Sequence, residues 1–231
     1  MRGERLRHLL RHGLDRIAPT FKLELMRRTL YDRSTAGMIV HSILQRRALL
    51  HWDAAGRVGL PPEAAKHRTI RKYAARFHLR VFIETGTFLG DTVYAIRGDF
   101  DRVVSIDLDP LLATNARRRF ARNPHITILQ GDSSRVLLDV LGPLAEPALF
   151  WLDAHWSGGI TAQGDTDTPI AEELAAILRH PVLGHVILVD DARLFGMDPD
   201  YPTLEDIRNM VALYRPGWTC EEAEDIIRIH R

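Results

Sequence analysis

From residue 61 onward, short apolar runs alternate with segments whose apolar residues recur every three or four positions. The runs 81–83, 103–106, 126–129, 148–152 and 185–189 have the length and the β-branched and aromatic content of buried strands. Between them, 91–97, 110–119, 134–141 and 169–179 predict helices, with Pro110 suited to a first helical turn. A helix is also predicted over 63–78, where Ile70, Tyr73, Ala74 and Phe77 share one face, and another from the cap Thr203 to Tyr214. Two last short segments, 218–222 and 226–230, lie too close together for a crossover helix and predict an antiparallel hairpin. Five strand–helix alternations followed by a hairpin predict an α/β fold with a doubly wound, mostly parallel, seven-stranded sheet.

The first sixty residues follow a different pattern. Leu6, Leu9, Leu10, Leu14 and Ile17 keep helical spacing with arginines between them, and Pro19 ends the run. Further helical segments are expected over 21–30 and 37–52, and the break at Gly59-Leu60-Pro61-Pro62 places the expected boundary between a helical extension (1–60) and the sheet domain (61–231). Charge follows the same division. Residues 1–80 carry 18 Lys and Arg against 6 Asp and Glu, a net +12, whereas the remainder carries 13 against 24, a net −11. A basic helical layer on an acidic domain accounts for this polarity. A nucleic-acid surface is not expected, because no aromatics interleave with the basic residues. The N-terminal helices are instead candidates for a homo-oligomer contact.

Composition narrows the class. Apolar residues at 45% and charged residues at 26% are ordinary for a globular protein. The single cysteine, Cys220, excludes an internal disulfide framework and a zinc–cysteine cluster and suits a reducing cytoplasm. No apolar run approaches the length of a membrane span.

The chemistry gathers where strands end. Open α/β sheets bind ligands beyond the carboxyl ends of their strands, and the predicted strands here run into Glu84, Asp107, Asp132, Asp153 and the pair Asp190-Asp191. After the first strand the chain reads Glu84-Thr85-Gly86-Thr87-Phe88-Leu89-Gly90, a glycine turn feeding a helix. Glycine at that point lets the backbone turn sharply and lets a ligand approach without meeting a Cβ. Asp107 follows Glu84 by 23 residues, the place from which a carboxylate can accept both hydroxyls of a ribose.

This turn, Asp107, Gly131-Asp132-Ser133 and the terminal hairpin together resemble the class I S-adenosylmethionine-dependent methyltransferases, with Phe88 where many members carry a middle glycine. The resemblance covers roughly residues 61–231 and implies a Rossmann-like sheet. It implies S-adenosylmethionine held by Glu84, Gly86, Thr87, Gly90, Asp107, Asp132 and Ser133, the last two on the adenine side. An acidic cradle suits a sulfonium cofactor better than a dinucleotide pyrophosphate. Asp132 and Ser133 read equally well as the cap of the following helix.

A second pair of strand ends, Phe150-Trp151-Leu152-Asp153-Ala154-His155-Trp156 and Val186-Ile187-Leu188-Val189-Asp190-Asp191, resembles the metal-dependent O-methyltransferases of the catechol and macrocin/sugar types. Three carboxylates without clustered Cys or His are hard oxygen ligands, which suit Mg²⁺. Asp153, Asp190 and Asp191 are therefore the expected metal ligands. Alternation of side chains along a strand lets Asp190 and Asp191 share an ion only if the chain leaves the strand between them. His155 stands where the resemblance implies a carboxylate base, and its ordinary pKa near neutrality suits it to that role. The expected activity is methyl transfer to a hydroxyl of a glycan or of a glycosylated or polyhydroxylated metabolite. The competing readings are an NAD(P)-dependent oxidoreductase, which lacks its tight Gly-x-Gly-x-x-Gly here, and a non-catalytic assembly protein of the same fold. The loop 156–165, with Gln163, and Arg193 are candidate acceptor contacts.

Overall fold

A computed structural model describes residues 35–153, 169–197 and 201–231. The chain divides into two compact units, 1–56 and 57–231. Of the first, the described part is one helix, α1 (Thr35–Ala54), which contains the expected segment 37–52. The other two helices expected there lie outside the described residues. Among the described residues, no helix is long and apolar enough to cross a membrane.

The second unit is one seven-stranded sheet in the order β3-β2-β1-β4-β5-β7-β6, formed by β1 (Val81–Thr85), β2 (Arg102–Asp107), β3 (Ile126–Gln130), β4 (Ala148–Leu152), β5 (Val186–Val189), β6 (Thr219–Ala223) and β7 (Ile226–His230). The first five strands are parallel, and β7 and β6 close the edge antiparallel to β5 and to each other. Helices α2 (Glu63–Phe77), α3 (Asp91–Ile96), α4 (Pro110–Arg119), α5 (Ser133–Leu141), α6 (Ile170–Arg179) and α7 (Leu204–Tyr214) cover the two faces.

Alternation along the strands builds a core on each face. Ile83, Val104, Ile106, Phe150, Leu152 and Ile187 pack with Leu137 of α5, Leu174 and Ile177 of α6 and Ile207 of α7. Phe82, Val103, Leu149, Trp151 and Leu188 pack with Ile70 and Tyr73 of α2, Val93 of α3 and Ala113 of α4. Each fully buried large apolar side chain contributes about 1.5–3 kcal/mol, so these two layers hold the sheet rigid beneath its carboxyl ends. Helix starts follow the sequence closely. Asp109 caps α4 by accepting from the amides of Leu111 (2.7 Å) and Leu112 (3.0 Å), with Pro110 at the first position. Thr203 and Asp206 form a reciprocal capping box at α7.

At the opposite, amino end of the sheet, two buried histidines form a relay. His185 Nδ1 accepts from the Ala148 amide at 3.1 Å, so its proton sits on Nε2 and is donated to His180 Nδ1 at 2.9 Å. His180 then donates from Nε2 to the Leu141 carbonyl at 3.0 Å. A proton added to either ring would meet another N–H. Burial, with the charges of His180 and Arg215, pushes the His185 pKa down to about 4. The unfolded chain takes up this proton at its ordinary value near 6.5, before the folded chain does. The stability held by neutral His185 is therefore complete above pH 6.5 and is lost as pH falls toward 4. Allowing for solvent screening, this is about 2 kcal/mol. In urea unfolding, the stability difference between wild type and His185→Gln should shrink by about that amount from pH 7 to pH 4; a difference independent of pH would contradict the relay.

Candidate active site

The strand ends of β2, β1, β4 and β5 form one continuous rim, laced by backbone bonds: the Asp153 amide donates to the Thr85 carbonyl (3.1 Å) and the Asp190 amide to that of Leu152 (3.0 Å). After β1, the amides of Gly86 and Thr87 both donate to the Ile106 carbonyl, at 2.9 and 3.1 Å. The next amide, that of Phe88, donates to Asp107 Oδ2 at 2.6 Å. Asp107 Oδ1 accepts from the Asp109 amide at 2.8 Å. One carboxylate thus joins the glycine turn to the start of α4. Burial pushes its pKa up to about 6, although both backbone bonds favour the charged form.

Phe88 takes a left-handed conformation, φ 50°. This explains how an aromatic residue stands where many similar turns carry glycine: the backbone keeps the glycine geometry, at a cost of about 1 kcal/mol, and the bond to Asp107 holds it there. Gly90, with φ 74°, closes the turn and precedes α3.

Glu84 lies beneath this turn and is 1% exposed. Thr87 Oγ1 donates to Ser105 Oγ at 2.5 Å, and Ser105 donates in turn to Glu84 Oε2 at 2.5 Å. Burial raises the Glu84 pKa well above the usual carboxylate range; the charges of Asp153 and Asp107 add to it, and the hydrogen bonds from Ser105 and Thr92 oppose it. Asp132 caps α5, accepting from the Ser134 amide at 3.0 Å and from the Ser134 hydroxyl at 2.7 Å. Ser133 is buried and hydrogen-bonds to Glu173 of α6. Glu173 also accepts from Thr85 Oγ1 at 3.2 Å, and burial pushes its pKa up to about 7.

The second half of the rim holds Asp190 and Asp191, both buried. Asp191 is left-handed (φ 56°), so the chain does leave the strand between the two aspartates, and the short 3₁₀ turn Ala192–Leu194 follows. Among the described residues, Lys66 of α2 lies against both carboxylates. Its Nζ donates to Asp190 Oδ2 at 2.5 Å and lies 3.7 Å from Asp191 Oδ1. Asp190 Oδ1 accepts from the Asp191 amide at 2.9 Å, and Asp191 Oδ1 takes a second cation, Arg193 Nη1, at 2.8 Å. Arg193 is held from behind by Asp225, whose Oδ1 accepts its amide at 2.9 Å and whose Oδ2 pairs with its guanidinium. Burial alone would lower the Lys66 pKa, but the charges of Asp190, Asp153, Glu63 and Asp191 overcome it and leave lysine more firmly protonated than usual. Burial and the Asp153 charge raise Asp190 as well, against the pull of Lys66. The neighbouring carboxylates act in the same direction on both groups, since excess negative charge favours a bound proton, while burial opposes the charge on lysine and on aspartate alike.

The expected Mg²⁺ ligands are therefore arranged otherwise than a magnesium site requires. Among the described residues, no group of three or more Asp, Glu, His or Cys is placed to hold a metal ion. The point shared by Asp190 and Asp191 carries an ammonium. His155, the expected base, and Gln163 lie outside the described residues.

No family model matches the sequence, and no curated protein matches it. Solved structures do. The O-methyltransferase TomG from Streptomyces achromogenes, involved in tomaymycin synthesis and solved with S-adenosylmethionine, is 19% identical and superposes with a TM-score of 0.52 over 80% of this chain and 87% of its own. An O-methyltransferase from Bacillus cereus, in complex with S-adenosylhomocysteine, is 16% identical with a TM-score of 0.51, covering 79% and 89%. The N-methyltransferase NodS from Bradyrhizobium japonicum, in complex with S-adenosylhomocysteine, is 15% identical with a TM-score of 0.51, covering 81% and 96%. The chain has the class I methyltransferase fold. Two of these neighbours are named for transfer to oxygen and one for transfer to nitrogen, so the fold leaves the acceptor atom open.

Within the methyltransferase fold, the sequence reading missed Lys66, Ser105, Glu173 and Asp225. Three carried a visible signal. Lys66 stands four residues before Ile70 and so continues the apolar stripe of α2, and Glu173 sits among Ile170, Leu174 and Ile177 on the buried face of α6. An ionisable residue inside an apolar stripe needs a partner when buried. Ser105 interrupts the apolar stretch from Val103 to Ile106 of β2.

The turn's geometry makes a direct prediction. A Cβ at Gly90 would lie 2.9 Å from Phe120 Cε2, at a φ that L-residues adopt at a cost of about 1–2 kcal/mol. Gly90→Ala should lower unfolding stability by about 1–3 kcal/mol in urea titration. A change within 0.5 kcal/mol, about what surface substitutions give, would show that the turn is not held in this conformation.

Proposed function

We propose that this chain is an S-adenosylmethionine-dependent methyltransferase acting on a hydroxyl of a glycan or of a glycosylated or polyhydroxylated metabolite. The observation that carries the cofactor is the Asp107 carboxylate, held at the carboxyl end of β2, beside the turn that follows β1, by the Phe88 and Asp109 amides. Each of its oxygens keeps a second lone pair, so the two can accept the paired hydroxyls of a ribose while staying anchored. The rest of the cradle is acidic, which favours a cationic ligand and disfavours the pyrophosphate of a dinucleotide.

When bound, S-adenosylmethionine supplies an electrophilic methyl group on a positively charged sulfur. Gly86, Thr87 and Gly90 shape the turn against which it would lie, with Thr87 fixed through its hydroxyl to Ser105. Glu84, enclosed beneath that turn, would contribute turn rigidity through Ser105 rather than a freely exposed contact. Asp132 and Ser133 at the start of α5 would border the adenine, and Glu173 would hold Ser133 in place.

The acceptor would sit over the second half of the rim, where Asp153, Asp190 and Asp191 offer acceptors to a polyhydroxylated molecule and Arg193 offers donors. The hydroxyl must lose its proton as it is methylated, and His155 is the proposed base, taking that proton on an imidazole nitrogen. Positioning the oxygen in line with the methyl group would supply much of the acceleration. Mg²⁺, implied by resemblance to the metal-dependent enzymes, does not fit the rim as Lys66 occupies it, and no step is assigned to it.

Calorimetry with the full chain should show saturable binding of S-adenosylhomocysteine and none of NAD(H) or NADP(H). Asp107→Ala should weaken that binding at least about tenfold, the loss expected for hydrogen bonds to a charged acceptor. Because the carboxylate titrates near pH 6, wild-type affinity should be level above pH 7 and fall below pH 6 as Asp107 takes a proton. Labelled S-adenosylmethionine incubated with sugars, polyhydroxylated metabolites and amines should mark the first two. Binding of a nicotinamide nucleotide instead, or label on amines alone, would overturn the assignment.

A further inference from the structure

We propose that Lys66 is the resident cation of the acceptor site, a tethered ammonium that does electrostatically what a divalent ion would otherwise do there. The inference rests on the acceptor site proposed above, but its central observation is geometric. Lys66 belongs to the first turns of α2, and its side chain is only 14% exposed. Helical spacing places Lys66 one turn before Ile70, on the side of α2 that goes on to the buried Ile70, Tyr73 and Ala74. Its Nζ lies 2.5 Å from Asp190 Oδ2 and 3.7 Å from Asp191 Oδ1. A magnesium ion needs oxygen ligands at about 2.0–2.1 Å in near-octahedral array. Any ion bridging Asp190 and Asp191 would have to lie against the ammonium, a like charge with no intervening ligand. Asp191 is further committed to Arg193 at 2.8 Å.

An ammonium carries three donors and no acceptor. The short bond to Asp190 uses one, which orients the group and leaves its remaining hydrogens to serve oxygens at the rim. Lys66 neutralises part of the carboxylate cluster, donates to the acceptor oxygen and favours its deprotonation, the electrostatic part of a metal ion's role. A point charge does not impose octahedral geometry, so this site orders a diol less strictly than a chelating ion would.

The test uses the full-length chain and Mn²⁺ as a paramagnetic probe followed by electron paramagnetic resonance, a readout that needs no methyl transfer. Wild type should bind no Mn²⁺ up to millimolar concentration. Lys66→Ala removes the cation from Asp190 and should bind one Mn²⁺ per chain, and Lys66→Ala with Asp190→Asn should lose it. Lys66→Gln, closer in volume, serves the same purpose where the alanine variant fails to fold. S-adenosylhomocysteine binding, measured alongside, reports separately on the cofactor half. With an acceptor in hand, wild-type turnover should be indifferent to EDTA, and Lys66→Ala should lose at least tenfold in kcat and regain part of it with Mg²⁺. One Mn²⁺ per chain bound by wild type and lost in Asp190→Asn would overturn the proposal. So would a folded Lys66 variant, intact in cofactor binding, that takes up no ion.

Discussion

The carbonyl of Ile106 and the carboxylate of Asp107, at the end of β2, receive three successive amides from the turn that follows β1. Everything proposed for the cofactor half depends on that seam. Parallel strands are linked by slanted backbone bonds that stop where the strands stop, and a turn leaving the sheet would ordinarily carry its unpaired amides into solvent. Here the neighbouring strand extends the pairing past the end of β1. Phe88 can therefore hold a left-handed conformation that its side chain alone would disfavour. The same carboxylate fixes Asp109, which caps α4. A single ionised group thus sets the turn and the helix start that face each other across the proposed ribose position.

The price of such a rim is a crowd of buried carboxylates, and the molecule answers it in two ways. Glu84, Asp107 and Glu173 have their pKa values raised by burial and draw hydroxyl and amide donors around them. Asp190 and Asp191 are instead given cations from elements far away in sequence: Lys66 from the helix before the sheet, and Arg193 braced by Asp225 from the terminal hairpin. The hairpin contributes more than an edge strand. Its two-residue turn, Glu224 and Asp225, is left-handed at both positions, as a tight hairpin requires, yet contains no glycine. The Asp225 bonds to the backbone and side chain of Arg193 hold that turn on the segment after β5.

Fold and site were legible to different depths. Element type and order came through because burial on both faces writes parallel strands as continuous apolar runs; β4 and β7 match the expected 148–152 and 226–230 at both ends, and α4 matches 110–119. Small differences lie at the ends, as with β1, which runs on through Glu84 and Thr85 because its pairing with β2 and β4 continues there. The 3₁₀ turn Ala192–Leu194 left no periodic trace in three residues. For the site, the carboxylates at the strand ends could be read in order, because topology gathers strand ends on one rim. Their partners could not, since nothing in the local pattern says that Lys66 and Asp190, 124 residues apart, will meet.

That asymmetry bears on how a metal site is inferred from sequence. Three aspartates at neighbouring strand ends specify a demand for positive charge, and the demand is met equally by a divalent ion or by a side chain delivered from another element. Ligand spacing reports only the acidic half of the balance. The cationic half is written in an unrelated helix, as one lysine on a stripe that should be apolar. Burying that lysine without partners would force it to give up its proton, so its place on the inner face of α2 has a physical reason only if anionic groups await it. Read from the lysine's side, the stripe predicts a buried acidic cluster; read from the aspartates' side, the strand ends predict a buried cation. The contact at Asp190 satisfies both demands at once.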